Sequence, residues 1–231
     1  MTAAELRHFD AAGRRIAYRL RKGASPTLVF LPGYASDMEG TKALALDGFA
    51  ERSGLAMLRL DYSGTGSSGG RFEEGTLAAW LEEALAAVDR LTDGPLVAVG
   101  SSMGGWIALH LALLRPGRVA ALVGIAAAPD FTEWGFNDGQ AAERQGISRG
   151  FWEVGQRLLL LKADIAIACP VRLVHGENDT DVPLDIAFKT MRAIRSSDVQ
   201  LTVIKGGGHR LSEPHEIDAI LRTVAGLLET P

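Results

Sequence analysis

The stretch that decides the fold is Leu96-Val-Ala-Val-Gly-Ser-Ser-Met-Gly-Gly-Trp106. Its first four residues form a short apolar run typical of a buried strand, and Trp106–Leu114 is a long helix-forming run. Between them, Gly100 and Gly104 flank Ser102 in a Gly-x-Ser-x-Gly pattern. A strand, a sharp turn and a helix in this order expose the serine hydroxyl at the turn. The stretch therefore predicts that Ser102 is a nucleophile.

After an N-terminal hairpin, the rest of the chain alternates predicted strands with predicted helices. The predicted strands are 6–10, 14–20, 27–31, 55–60, 96–99, 119–125, 171–175 and 199–204, and the predicted helices are 40–52, 77–91, 103–115, 183–195 and 214–228. Strands that are apolar throughout are expected where helices cover both faces of a parallel sheet. The sequence therefore predicts one α/β domain over residues 1–231, with an eight-stranded, mostly parallel sheet and helices on both faces.

The composition argues against several classes of protein. A net charge of -4 provides no electrostatic basis for binding nucleic acid or an anionic membrane surface. The N-terminus has no apolar signal segment, and no apolar run approaches the roughly 18 residues that span a bilayer. We therefore expect a cytoplasmic protein with no nucleic-acid partner and no stable membrane association. The sequence carries no indication of an oligomeric state.

Residues with useful chemistry follow several of the predicted strands. The strand at 27–31 is followed by Pro32-Gly33-Tyr34, the strand at 171–175 by a loop with several acids, and the strand at 199–204 by three glycines and His209. In a parallel sheet such loops gather at the carboxyl edge, where ligand sites lie. A serine hydroxyl becomes nucleophilic when an imidazole removes its proton, and a carboxylate orients that imidazole. The order serine, acid, histidine therefore predicts a catalytic triad.

Chain order alone leaves the triad acid open. The candidates are Glu177, Asp179 and Asp181 after the strand at 171–175, and Asp130 after the strand at 119–125. The segment His175-Gly-Glu-Asn-Asp-Thr-Asp-Val-Pro183 resembles the His-Gly-x-x-Asp-x-x-Val-Pro signature of many α/β-hydrolases. In that family the aspartate at the fifth position is the triad acid. The resemblance therefore implies Asp179, with Asp181 as its main rival.

Further motifs resemble one group within that family. They are Phe30-Leu-Pro-Gly-Tyr34, Gly40-Thr-Lys-Ala-Leu-Ala45, Arg59-Leu-Asp-Tyr-Ser-Gly64 with Gly66-Ser-Ser68, and Gly100-Ser-Ser-Met-Gly-Gly-Trp106. Together they are similar to the mammalian mitochondrial acyl-protein thioesterases of the α/β-hydrolase-domain group, which are also described as acyl-glucuronide esterases. The resemblance spans most of residues 28–125 and 170–210, and it implies an α/β-hydrolase fold. A mitochondrial location is not carried over, because no presequence is evident.

The predicted mechanism needs an oxyanion hole and no cofactor. One donor is expected to be the backbone N–H of Met103, directly after the nucleophile, and the other that of Tyr34 in the loop after the strand at 27–31. The segment Gly64-Thr-Gly-Ser-Ser-Gly69 has the spacing of a dinucleotide-binding turn, but no predicted helix begins close behind its last glycine. We expect neither an organic cofactor nor a metal.

Residues 130–168, here called the insert, separate two predicted core strands. The insert is rich in aromatic and aliphatic residues, and it is longer than a plain crossover helix requires. We therefore expect a small cap, with Trp134 and Phe151 lining a pocket for the acyl or aromatic part of a substrate.

The sequence thus predicts a serine hydrolase that cleaves carboxylic esters or thioesters of small molecules or acylated substrates. In this mechanism Ser102 forms an acyl-enzyme, His209 moves the proton, and Asp179 orients His209. Two alternatives remain open: hydrolysis of C–C or amide bonds by the same triad, and a binding protein without catalysis.

Overall fold

The computed structural model describes residues 4–229, and within that range the chain forms eight strands and eight α-helices. The strands are β1 (Leu6–Ala11), β2 (Arg14–Arg21), β3 (Ala24–Leu31), β4 (Leu55–Leu60), β5 (Leu96–Ser101), β6 (Val119–Ile125), β7 (Val171–Gly176) and β8 (Val199–Ile204). The helices are α1 (Thr41–Ser53), α2 (Leu77–Leu91), α3 (Met103–Leu114), α4 (Phe131–Trp134), α5 (Gly139–Arg144), α6 (Arg149–Gly155), α7 (Leu184–Ala193) and α8 (Pro214–Leu228).

All eight strands belong to one sheet, in the order β1-β2-β4-β3-β5-β6-β7-β8. The hairpin β1-β2 and its junction with β4 are antiparallel, and every pairing from β4 to β8 is parallel. Parallel neighbours require crossover connections, which the helices supply. The predicted eight-stranded, mostly parallel sheet is therefore confirmed.

Successive side chains of the central strands pack into two different hydrophobic cores. In β3, Leu28 belongs to a core shared with residues of α1 and α8, whereas Val29 belongs to a core shared with α2 and α3. Both residues are 0% exposed. Since strand side chains alternate between the two faces, one helix layer lies on each side of the sheet.

The strand register brings the predicted site loops to one edge. Leu31 at the end of β3 pairs with Gly100, Ser101 at the end of β5 pairs with Ile125, and Gly176 at the end of β7 pairs with Ile204. The loops that follow β3, β5, β7 and β8 therefore leave the sheet side by side.

The insert contains three short helices, α4 to α6, packed over this same edge. The Asp130 carboxylate accepts backbone hydrogen bonds from Leu160 (2.8 Å) and Leu161 (2.7 Å). One residue at the start of the insert thereby holds a point 30 residues further along the chain. Within residues 4–229, no helix is both long and apolar enough to cross a membrane.

Candidate active site

Ser102 lies on a sharp turn between β5 and α3. Its backbone has φ 54° and ψ -120°, a conformation that L-residues rarely adopt and that marks strain retained at functional sites. The Ser102 N–H donates to the carbonyl of Ile125 (2.9 Å), and its own carbonyl accepts from the N–H of Ala128 (3.0 Å). The neighbouring strand β6 and the loop after it thus hold the strained turn in place.

Two glycines make this turn possible by leaving room for backbone. A Cβ on Gly100 would lie 2.2 Å from the carbonyl oxygen of Gly104, and a Cβ on Gly104 would lie 2.0 Å from that of Leu31. Both separations are far below any van der Waals contact. The Gly-x-Ser-x-Gly spacing is therefore a steric requirement of the turn.

A continuous row of hydrogen bonds joins Ser102, His209 and Asp179. His209 Nε2 lies 3.1 Å from Ser102 Oγ, and His209 Nδ1 lies 2.9 Å from Asp179 Oδ2. An ionised carboxylate only accepts, so Nδ1–H donates to Asp179 and Nε2 accepts from the serine hydroxyl. This arrangement is the one in which an imidazole can act as a base toward serine.

Asp179 is held as a buried carboxylate by several donors. Its side chain is 0% exposed, and Oδ1 accepts from the N–H groups of Asp181 (3.0 Å) and Val182 (2.8 Å). Burial alone would raise the pKa of Asp179, but the hydrogen bonds from His209 and Val182 and the charges of His209 and His175 outweigh it. The pKa of Asp179 therefore lies below its usual value.

The other acid candidates have different partners. The Glu177 carboxylate accepts from the N–H of Gly206 (2.9 Å), which braces the loop leading to His209. Asp181 is exposed at the site entrance, and Asp130 bonds to the far end of the insert. Among the four candidates, Asp179 is the one that contacts His209.

A second histidine, His175, lies beside the acid. It is buried at the end of β7, and its Nε2 donates to the carbonyl of Val182 (2.9 Å) while lying 3.5 Å from Asp179 Oδ2. These contacts fix the loop that carries Asp179.

The two expected oxyanion donors belong to segments that border Ser102. Met103 is the first residue of α3, so its N–H has no partner within the helix. The loop before Tyr34 passes close to the nucleophile, since a Cβ on Gly33 would lie 3.3 Å from Ser102 Cβ. The positive end of the α3 dipole also favours negative charge at this point.

The Tyr34 side chain forms part of the site wall. Its hydroxyl donates to the carbonyl of Gly146 (3.1 Å), and its ring packs edge-on against Phe151 (centroids 5.1 Å apart) and Phe72 (5.0 Å). Burial raises the pKa of the Tyr34 phenol. Tyr34 therefore ties the insert to the loop after β3.

Two cavities meet at Ser102, His209 and Tyr34. The aromatic cavity has a volume of about 580 Å³ and lies under the insert; its other lining residues are Met103, Ala128, Phe131, Trp134, Gly135, Phe136, Gln145, Ile147, Thr180, Asp181 and Val182. The polar cavity has a volume of about 480 Å³; its other lining residues are Phe30, Gly33, Ala35, Ser36, Asp37, Gly40, Thr41, Lys42, Ala43, Ser101, Arg210 and Ser212.

The two residues predicted to line a pocket occupy different positions. Trp134 lines the aromatic cavity, and its indole N–H donates to the carbonyl of Pro129 (2.7 Å). Phe151 is 0% exposed and lies one layer behind the wall, against Tyr34, Phe131 and Trp80. The prediction that Phe151 lines the pocket is therefore wrong. Its ring lies in the core, because helix α6 turns it toward α2.

Several lining residues were not singled out by the sequence. Phe136 and Ile147 of the insert contact the aromatic cavity, and Lys42 contacts the polar cavity. Phe136 and Ile147 lie between the short helices of the insert, where no period in the sequence shows which side chains face a site. No local pattern indicates that Lys42, at the start of α1, reaches the polar cavity. Across residues 4–229, no group of three or more His, Cys, Asp or Glu side chains is arranged to hold a metal ion.

Comparison with known proteins assigns the family. A sequence profile described as alpha/beta hydrolase fold matches residues 26–146. The human protein named mitochondrial palmitoyl-protein thioesterase ABHD10 is 37% identical over 234 residues, which cover 93% of this chain and 76% of the relative. The chain belongs to the α/β-hydrolase family. The predicted resemblance to the acyl-protein thioesterases of this family is therefore confirmed.

Solved structures agree with this assignment. The α/β-hydrolase domain-containing protein 10 from mouse superimposes with a TM-score of 0.92 at 34% identity, covering 98% of this α/β-hydrolase and 99% of the mouse chain. A protein from Agrobacterium vitis S4 gives a TM-score of 0.91 at 36% identity, with coverage of 99% and 100%. The α/β-hydrolase fold predicted from the sequence is confirmed over nearly the whole chain.

Proposed function

We propose that this α/β-hydrolase cleaves carboxylic esters or thioesters through a covalent acyl-enzyme on Ser102. The observation that carries the proposal is the hydrogen-bonded row from Asp179 through His209 to Ser102, which opens onto both cavities. Support also comes from the human relative, a palmitoyl-protein thioesterase by name, which is similar over 93% of this chain.

Acylation begins when Ser102 Oγ attacks the acyl carbon. His209 Nε2 takes the hydroxyl proton as the new bond forms, and Asp179 stabilises the resulting imidazolium. The N–H groups of Met103 and Tyr34 donate to the oxyanion of the tetrahedral intermediate. His209 then gives its proton to the leaving oxygen or sulfur, which departs and leaves the acyl group on Ser102.

Deacylation repeats these steps with water as the nucleophile. His209 Nε2 accepts a proton from water as the water attacks the acyl carbon, and the same two N–H groups hold the second oxyanion. Collapse of that intermediate releases the carboxylic acid and returns the proton to Ser102 Oγ. Every proton transfer thus passes through one imidazole nitrogen.

The aromatic cavity supports an apolar acyl group as the recognised half of the substrate. Phe131, Trp134, Phe136 and Ile147 would remove acyl methylenes from water, at about 0.8 kcal/mol for each buried CH₂. In this proposal the insert acts as a cap over the acyl chain. Substrate preference therefore depends on the insert more than on the triad.

The test is a comparison of wild type with Ser102→Ala on p-nitrophenyl and thioester substrates, together with labelling by a fluorophosphonate probe. We expect wild type to be labelled and active, and the variant to show neither property while retaining its circular dichroism spectrum. Turnover by a folded Ser102→Ala variant would exclude the acyl-enzyme mechanism.

The same probe separates the two alternatives. A binding protein without catalysis would resist labelling, because labelling needs an activated serine. An amidase or C–C hydrolase would be labelled too, but its kcat/KM would be higher for an amide or C–C substrate than for an oxyester or thioester with the same acyl group. The human relative is a mitochondrial protein by name, whereas a cytoplasmic location of this chain stays a prediction from the sequence.

A further inference from the structure

Lys42 presents an ammonium group to the polar cavity, next to the nucleophile. It lies in the first turn of α1, and its Nζ donates to the carbonyl of Arg210, the residue directly after His209. An ammonium has three donors, so two remain for a ligand. Within residues 4–229, no carboxylate oxygen lies within 4.0 Å of the Lys42 or Arg210 side-chain nitrogens.

Cationic side chains outnumber acidic ones among the residues that line the polar cavity. Lys42 and Arg210 both line it, and Asp37 is the one acid among its lining residues. The Asp37 carboxylate is engaged in part by the N–H of Glu39 (2.8 Å), and Glu216 acts on Lys42 through its charge from the start of α8. The first turn of α1 adds partial positive charge and carries no acidic residue.

The shape of the site assigns this cavity to the leaving group. An apolar acyl chain gains most by entering the aromatic cavity, so the other half of the substrate is directed to the polar cavity. His209 lines both cavities, so it can protonate a leaving atom that lies between them. We propose that the polar cavity is a leaving-group subsite, a proposal that rests on the ester or thioester hydrolysis proposed above. In this subsite Lys42, assisted by Arg210, selects leaving groups that carry a carboxylate or a phosphate.

Two thioesters of equal size test this proposal. S-butyryl thioglycolate and S-butyryl mercaptoacetamide differ only in replacing the carboxylate of the leaving thiol by an amide. After correction for their uncatalysed hydrolysis rates, wild type should prefer the carboxylate in kcat/KM by about tenfold, as charge-assisted hydrogen bonds are stronger than neutral ones. Added NaCl should reduce this ratio by screening.

Variants identify the residue responsible for the preference. Lys42→Met should bring the ratio close to one, Lys42→Arg should retain most of it, and Arg210→Met should lower it less than Lys42→Met. Lys205→Met, an exposed lysine in the turn after β8, is the matched control and should keep the wild-type ratio. S-butyryl mercaptoethyl phosphate distinguishes a phosphate ligand from a carboxylate, and preference for either anion supports the subsite.

Two results would overturn the proposal. A kcat/KM ratio near one between the two thioesters in wild type would show that the cavity does not discriminate between charged and neutral leaving groups. Equal losses on both thioesters in Lys42→Met would mean that Lys42 only braces the His209 loop through the carbonyl of Arg210. These outcomes differ from a failure of the proposed function, in which neither thioester would be hydrolysed at all.

Discussion

The carboxylate of Asp130 and the backbone N–H of Leu160 lie 2.8 Å apart and close the insert into a loop. Asp130 is 2% exposed and adopts a left-handed backbone conformation, with φ 59°. It directly precedes α4, which supplies Phe131 and Trp134 to the aromatic cavity. The shape of that cavity therefore depends on a hydrogen bond made outside it.

Replacement of Asp130 by alanine should loosen the insert. We expect a loss of about 1–3 kcal/mol in the free energy of unfolding, because buried N–H groups lose their acceptor. We also expect KM to rise more for octanoyl than for acetyl thioesters. Urea unfolding and steady-state kinetics measure the two effects.

Asp138→Ala is the matched control for Asp130→Ala. Asp138 accepts from the N–H of Ala141 (2.8 Å) at the start of α5 and does not join the two ends of the insert. Asp138→Ala should lower the free energy of unfolding by about 1 kcal/mol, because a helix N-cap is lost. It should leave the acyl-chain dependence of KM as in wild type. An equal shift in chain-length preference in both variants would argue against a role for Asp130 in shaping the cavity.

Trp134 and Phe151 should respond differently to alanine substitution. Trp134 lines the aromatic cavity, so Trp134→Ala should raise KM for long acyl chains more than for acetyl. Phe151 is fully buried among Tyr34, Phe131 and Trp80, so Phe151→Ala should lower the free energy of unfolding by about 3–5 kcal/mol. Identical kinetic profiles for the two folded variants would contradict this division.

Gly104→Ala tests the steric requirement at the nucleophile turn. The added methyl would meet the carbonyl oxygens of Leu31 (2.0 Å) and Pro32 (2.5 Å), which belong to rigid backbone. We expect a loss of about 1–3 kcal/mol in stability and a large fall in kcat, because the loop before Tyr34 must move. Gly150→Ala, where an added Cβ meets nothing within 4 Å, should leave kcat unchanged and stabilise α6 slightly.

Asp179 should make a pH-dependent contribution to stability. Burial opposes its charge, but the hydrogen bonds from His209 and Val182 lower its pKa in the folded state. A group whose pKa is depressed on folding contributes stability above its unfolded pKa of about 3.9 and loses that contribution as pH falls through the folded pKa. The stability difference between wild type and Asp179→Asn should therefore be constant from pH 7 to 5 and shrink at lower pH.

Urea unfolding at a series of pH values measures this difference. A difference that stays constant down to pH 3 would show that the carboxylate is not stabilised by its partners. In the same variant, kcat at pH 7 should fall by about 10⁴-fold, since an amide at this position favours the wrong imidazole tautomer.

Local patterns made much of the fold predictable. The sharp turn at Ser102 is determined by the five consecutive residues Gly100–Gly104. Helix α2 (Leu77–Leu91) is predictable from its amphipathic period and from its N-cap Thr76, whose side chain accepts a hydrogen bond from the N–H of Ala79. The order of serine, acid and histidine is likewise predictable, because each of these residues follows a predicted strand. These features depend on neighbours in sequence, which a single chain displays directly.

The remaining features depend on contacts between distant residues. The helices of the insert have only four, six and seven residues, too few for a period to identify their buried side, so Phe151 was assigned to the wrong layer. Lys42 reaches the carbonyl of Arg210 across 168 residues of sequence, and no local pattern indicates such a pair. Substrate specificity is therefore harder to predict from this sequence than the type of reaction.

The contact between His209 and Ser102 also has a consequence for biosynthesis. It spans 107 residues, and His209 follows β8, the last strand within residues 4–229 and an outer strand of the sheet. Since chains emerge from the ribosome N-terminus first, the strained serine turn is synthesised well before its base. The nascent polypeptide therefore lacks the base that activates Ser102 until β8 joins the sheet, so reactivity toward a fluorophosphonate would report that step of assembly.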